Sequence, residues 1–185
     1  MIRRRHVHTL SGLLHKRASD GIIDYEEFIR LARRLVGMGE AEECFRRGVF
    51  NLLSTNRDDH GRNHAFLYDE SARTWTLSPA YDLTPNVANV LIGLSWLGSQ
   101  QIPQTFEALE RLAEIGGLSS KKARAIYDEV EAATIGGWRK AATAAGVPKD
   151  IVDHWEQAMQ IQTRALQADV RKKAPGSKRS QQRKT

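Results

Sequence analysis

The sequence predicts a mainly α-helical domain that carries one small β hairpin. Three observations point there. Apolar residues recur at three- and four-residue spacing through most of the 185 residues. Short β-like runs stand out only at 64–68 (HAFLY) and 74–77 (TWTL), with DESAR between them as a turn region. Glycine and proline break the helical pattern at helix-length intervals.

Taken in order, Asp24 followed by Glu27 predicts a helix N-cap with a reciprocal acid at its third position. Phe28, Leu31, Ala32 and Leu35 make the inner face of that helix, Arg30, Arg33 and Arg34 the outer one, and Gly37 and Gly39 close it. A second helix is expected over about 40–54. Its apolar set includes Ala41, Cys44, Phe45, Val49, Leu52 and Leu53, so Cys44 reads as a small core residue rather than a nucleophile. The polar run NRDDHGRN predicts a loop and leads into the hairpin. SPAYDLTPN, with Pro79 and Pro85, cannot be regular helix. Helix resumes after Pro103, with Phe106, Leu109, Leu112, Ala113 and Ile115 on one stripe ended by Gly116 and Gly117. Ser119 caps a helix expected to reach about Ile135, and Trp138 opens a short one ended by Gly146 and Pro148. Asp150 is expected to cap the last helix, whose apolar positions are Ile151, Trp155, Met159, Ile161, Leu166 and Val170. Trp138 and Trp155 read as core anchors, and Tyr81 and Trp75 as packing residues.

Composition bounds the function classes. Apolar residues make up 41% and charged residues 27%, as in ordinary globular proteins. No apolar run approaches the roughly 18–20 residues of a membrane span, and no apolar signal core follows the first arginines, so a cytoplasmic protein with no membrane partner is expected. One cysteine excludes an internal disulfide. The net charge of +6 is concentrated in residues 171–185, which hold seven of the 28 Lys/Arg and no acid; the remainder sums to about −1. The expected organisation is therefore a domain over 1–170 and a basic disordered tail over 171–185 with weak, non-specific affinity for nucleic acid.

One stretch carries chemistry. Asp58 follows Asn56 and Arg57, and Asn63 stands five residues later. Protein kinases use an H-R-D-x-x-x-x-N loop, whose Asp accepts the proton of the substrate hydroxyl and whose Asn binds magnesium. A hairpin follows, and then Asp82, where kinases place a second metal-binding Asp. Phosphoryl transfer needs a carboxylate near the attacking oxygen and oxygen ligands that hold Mg²⁺ against the phosphates. Asp58 could also merely close a turn. Asp59 is left out of catalysis. His60 and His64 lie four apart, but that spacing joins side chains only on a helix, and Gly61 with the strand after it argues against a zinc site.

The segment FNLLSTNRDDHGRNHAFLYDESARTWTLSPAYDLTPN resembles the core of the HipA family of bacterial kinase toxins. It keeps FN-x(6)-DDH-x-x-N-x-x-F-L and then W-x-L-S-P-A-Y-D, and the flanking helices over about 10–155 are similar too. The resemblance implies the C-terminal lobe of a protein-kinase-like fold and a serine/threonine kinase that uses Mg²⁺ and ATP. It implies Asp58 as the catalytic residue, Asn63 and Asp82 as metal ligands, and Arg57 and His60 as supporting residues behind them. It also implies a HipB-like DNA-binding antitoxin as partner, and a protein substrate such as an aminoacyl-tRNA synthetase. The sequence departs from the family before Asp58: its 57 preceding residues show no Gly-rich flap and no strand-borne lysine. A truncated product, half of a split kinase completed by a separate N-terminal lobe chain, or a non-catalytic module that binds an antitoxin or nucleic acid would each fit.

Overall fold

The computed structural model describes residues 4–17, 22–86 and 93–173. The expected helices and hairpin form, and a third strand joins the hairpin. Strand β1 (His6–Thr9) pairs antiparallel with β2 (Ala65–Asp69), and β2 pairs antiparallel with β3 (Thr74–Leu77). Sequence reasoning missed β1 for a physical reason. None of its side chains is buried and its one aliphatic residue, Val7, is 52% exposed, so no alternation marks it. Backbone pairing makes the strand, and His6 and His8 pack edge-on or tilted against Trp75 at 5.7 and 6.1 Å.

Thr9 turns the chain into the single turn α1 (Leu10–Leu13) by accepting the Gly12 N–H at 3.1 Å. The Leu10 N–H donates to His64 O at 2.8 Å, so this corner sits at the start of β2. Helix α2 (Tyr25–Leu35) begins with the expected capping box. Asp24 accepts the Glu26 N–H at 2.7 Å, and the Asp24 N–H donates to the Glu27 carboxylate at 3.0 Å. Tyr25, Phe28, Ile29 and Ala32 face α3 (Met38–Leu53), which buries Ala41, Cys44, Phe45, Val49, Leu52 and Leu53. Cys44 is fully buried, and burial pushes its thiol up. Helices α4 (Phe106–Ile115) and α5 (Ser120–Glu131) complete this core, with Leu109, Leu112, Ile126 and Tyr127 inside.

The C-terminal end departs from expectation. Past Glu131 the chain widens into a π turn, Ala132–Gly136, before α6 (Trp138–Ala144). A Cβ at Gly137 would lie 2.3 Å from Ala133 O, so the turn requires glycine there. Helix α7 (Lys149–Lys173) starts one residue before Asp150, which lies in its first turn rather than at the cap. Its buried face is Val152, Met159, Thr163 and Leu166, whereas Ile151 and Ile161 are 43% and 59% exposed. Trp138 and Trp155 are only half-buried. Trp138 donates its indole N–H to Val152 O at 3.1 Å, and the buried tryptophan is Trp96, stacked on Tyr25 at 4.3 Å. Residues 171–173 continue α7, and 174–185, the rest of the basic tail, lie outside the described residues. Val170 also lies beyond those whose side chains are described. No described helix is long and apolar enough to cross a membrane.

Candidate functional site

The candidate site begins where α3 ends. Ser54 closes the helix and Thr55 takes a left-handed backbone (φ 61°), turning the chain sharply. Asn56 is buried and fixes the exit. Its N–H donates to Asn51 O at 2.9 Å, its Nδ2 to Asn51 Oδ1 at 3.2 Å, and its Oδ1 accepts the Asp58 N–H at 3.2 Å. This is what the asparagine does in the place where kinase loops usually carry histidine: it ties the loop to the preceding helix.

The loop then closes on itself. Asp58 O accepts from the His60 N–H at 2.9 Å and from Asn63 Nδ2 at 3.1 Å, and the Asn63 N–H donates to His60 O at 2.8 Å. Only the amide nitrogen of Asn63 can face a carbonyl oxygen, so its orientation is fixed and Oδ1 is left as its free oxygen. Asn63 is 6% exposed, while the Asp58 side chain is half-buried. The loop thus holds a carboxylate and an amide oxygen, both hard donors suited to magnesium chemistry.

Asp82 arrives from the other side. The chain leaving β3 is bound first by Arg47, whose Nη2 donates to Ser78 O at 2.6 Å, and by the Ser78 N–H, which donates to Ala65 O at 2.8 Å. Tyr81 then donates its hydroxyl to Arg62 O at 2.6 Å, and farther on the Asn86 N–H donates to Thr55 O at 3.0 Å. Asp82, exposed and at φ 57°, therefore hangs between two anchors, one on the loop that carries Asp58 and Asn63 and one on the turn that leads into it. Tyr81 is 41% exposed and acts as a tether, not as the packing residue its aromatic ring suggested.

The supporting residues divide. Arg57 turns away from the loop and donates to Gln162 of α7; burial lowers its pKa. The backbone of His60 forms the loop tip, and its ring, with Nδ1 buried and unpartnered, lines a pocket of about 160 Å³ beside Lys16 and Arg62. Two further residues shape the loop, one not singled out in the sequence and one set aside from catalysis. Gly93 lies so close to the loop that a Cβ would stand 2.8 Å from both Asp59 N and Asp59 O. Its N–H donates to Arg57 O at 3.0 Å, and the Leu94 N–H to Asp59 O at 2.7 Å. A single glycine in an apolar run can mark such a close approach. The second is Asp59, 3% exposed, which accepts from the Tyr25 hydroxyl. Burial first, then the Asp59 charge, raises the Tyr25 pKa well above its ordinary value. Among the described residues no group of three or more His, Cys, Asp and Glu could hold a metal ion.

With this geometry in view, sequence comparison decides the family. The sequence pattern of the HipA-like C-terminal domain matches residues 2–138. The chain belongs to the HipA-like C-terminal domain family. Its fold is similar to HipA of Shewanella oneidensis MR-1, solved with HipB and operator DNA, at a TM-score of 0.72 and 17% identity. The match covers 91% of this chain and 45% of that one, so the chain spans less than half of the solved HipA. Comparison with curated proteins gives no match. The HipA-like lobe explains the mainly helical architecture with its small antiparallel sheet, and α7 lies wholly beyond the sequence match.

Proposed function

We propose that this HipA-like domain is the catalytic-loop side of a serine/threonine protein kinase that transfers phosphate from Mg-ATP to a protein hydroxyl, as the toxin component of a toxin–antitoxin pair. The observation that carries the proposal is the bond from Asn63 Nδ2 to Asp58 O, which orients the Asn63 amide and ties it to the backbone of Asp58 across one six-residue loop. Asp58 would accept the proton of the attacking hydroxyl. Asn63 and Asp82 would hold Mg²⁺ through their oxygens; the donor set fits, since magnesium is commonly held by one or two carboxylates together with substrate phosphates. When bound, the ion neutralises charge developing on the transferred phosphoryl group. Arg57 would brace the loop against α7, and His60 would shape its tip.

Covering the phosphates calls for a Gly-rich flap and a lysine. The proposal assigns these to a further segment, on this polypeptide or another. For that reason the 185-residue polypeptide by itself is expected to show no useful phosphoryl transfer. A HipB-like DNA-binding antitoxin is the proposed partner, on the ground that the similar Shewanella HipA was solved with HipB and operator DNA. An aminoacyl-tRNA synthetase remains the proposed substrate class by family resemblance alone. The test is an ATP titration and a radiolabelled phosphotransfer assay on the purified chain, alone and joined to the upper lobe of a HipA relative. Transfer by the joined form that Asp58→Ala abolishes is the expected result. Transfer that survives Asp58→Ala would overturn the assignment, and tight ATP binding with transfer by the chain alone would overturn the division of labour.

A further inference from the structure

The catalytic loop has an inner face as well as an outer one. At each end of the loop, the residue that follows the proposed functional one is buried in the core. Asp58 is followed by Asp59, which enters the core, and Asn63 is followed by His64, which enters it too; these are 3% and 2% exposed. The two inner side chains meet, with His64 Nε2 2.9 Å from Asp59 Oδ1. No hydrogen bond forms at this approach, so it is a close polar contact between a carboxylate and an imidazole edge. The other carboxylate oxygen accepts from Tyr25 Oη, which in turn accepts from Asn51 Nδ2 at 3.1 Å. Phe28 covers the His64 ring at 4.2 Å.

We propose that the Asp59–His64 contact is a positioning rung: it clamps the base of the loop from inside the core and so sets the separation of Asp58 and Asn63. The inference rests on the proposed kinase reading of those two residues. Two side-chain links join the ends of the loop at successive residues. The outer one runs from Asn63 Nδ2 to Asp58 O, and the inner one joins the next residue at each end. The inner link is the anchored one, because Asp59 is tied through Tyr25 to α2 and through Asn51 to α3, while His64 O receives the Leu10 N–H. A buried carboxylate is costly unless it is partnered; here Oδ2 accepts from the Tyr25 hydroxyl, and Oδ1 lies against the His64 ring where the loop must not spread. Asp59 is thus a positioning residue that acts through the backbone it shares with Asp58.

The test reads the loop and the metal separately, on the full chain. Amide hydrogen exchange by NMR follows the His60 and Asn63 N–H groups, whose acceptors are inside the loop, against Val49 and Leu52 in α3. Mn²⁺ binding by electron paramagnetic resonance follows the outer face. Asp59→Ala is expected to speed exchange at His60 and Asn63 by about tenfold or more, leaving α3 unchanged. It is also expected to weaken Mn²⁺ binding by about tenfold, the usual effect of losing a group behind a metal ligand. Asp59→Asn, which keeps an acceptor for Tyr25, should restore most of both. Should Asp59→Ala fail to fold, His64→Gln and Tyr25→Phe are read at the same amides. Wild-type exchange at His60 and Asn63 in a folded variant would overturn the rung, as would a loosened loop with unchanged Mn²⁺ affinity. If the wild-type chain binds no Mn²⁺, the metal reading fails by itself, and the exchange rates alone then judge the rung.

Discussion

The two strands of chain that meet at the candidate site are held in contrasting ways. The loop over 56–63 is buried or half-buried except at Arg62, and bonds to its own backbone, to Asn51 and to residues 93–94 hold it in place. The segment over 78–86 is mostly exposed and touches the rest of the molecule at anchors spaced along it: Arg47 to Ser78, Tyr81 to Arg62, and Asn86 to Thr55. Asp58 and Asn63 are therefore set by the fold, whereas Asp82 is set by a few bonds made by its neighbours. The contrast suggests a site with one rigid wall and one wall that a ligand or partner can complete.

The sharpest way to break that contrast is to disturb the rigid wall. Gly93→Ala forces a Cβ into the Asp59 backbone at 2.8 Å, with backbone rather than a yielding side chain opposite. A loss of about 1–3 kcal/mol is expected, the usual range for overpacking, read as a lower midpoint in urea with an unchanged slope. An unperturbed midpoint would mean that the loop is not held there. Next comes the hung wall. Tyr81→Phe removes one hydroxyl and the bond to Arg62 O, so a stability loss of only about 1 kcal/mol is expected. Mn²⁺ affinity should nevertheless fall, because the segment bearing Asp82 loses its nearest anchor; equal affinity would show that Asp82 does not share the metal. A smaller effect is kinetic. Cys44, on the buried face of α3 with its thiol pushed up, should react with an aromatic disulfide reagent only as fast as the chain unfolds; rapid labelling of the folded chain would contradict its place in the core. The smallest effect concerns the tail. Residues 174–185 contain no large apolar side chain, so deleting them should leave the thermal midpoint unchanged and reduce salt-sensitive binding to a polyanion such as heparin. A large fall in midpoint would mean that they pack.

How much of this was legible in the sequence follows the same division. Elements written in local code were readable. The capping box at Asp24 and Glu27, the α4 bounds at Phe106 and Ile115, and β3 over 74–77 all stand as expected. So does the buried role of Cys44. What failed depended on contacts distant in sequence. Strand β1 exists because β2 offers it a free edge, and nothing in HVHT announces that. Tyr81 read as packing because a phenol's ring outweighs its hydroxyl in any pattern of apolar residues, yet here the hydroxyl bonds a carbonyl 19 positions away. On α7, Ile151 and Ile161 were counted with the core because a 25-residue helix offers more than one apolar stripe, and only its neighbours choose between them. At the site, the spacing of Asp58 and Asn63 was legible because the loop is short. Asp59 was set aside from catalysis without its partners in view, and Gly93 was not singled out, since those partners come from α2, from His64 just before β2 and from residues beyond the hairpin.

The most direct measurement for the claim that Asp58, Asn63 and Asp82 serve one cleft is a Mn²⁺ titration of the full chain, followed by electron paramagnetic resonance, with Asn63→Ala, Asp82→Ala and the double variant. One shared ion predicts that each single variant weakens binding by about tenfold or more, and that the double variant loses much less than the sum of the two. Wild-type affinity in folded Asp82→Ala would contradict the claim, because the hung segment would then contribute nothing to the site that the loop presents.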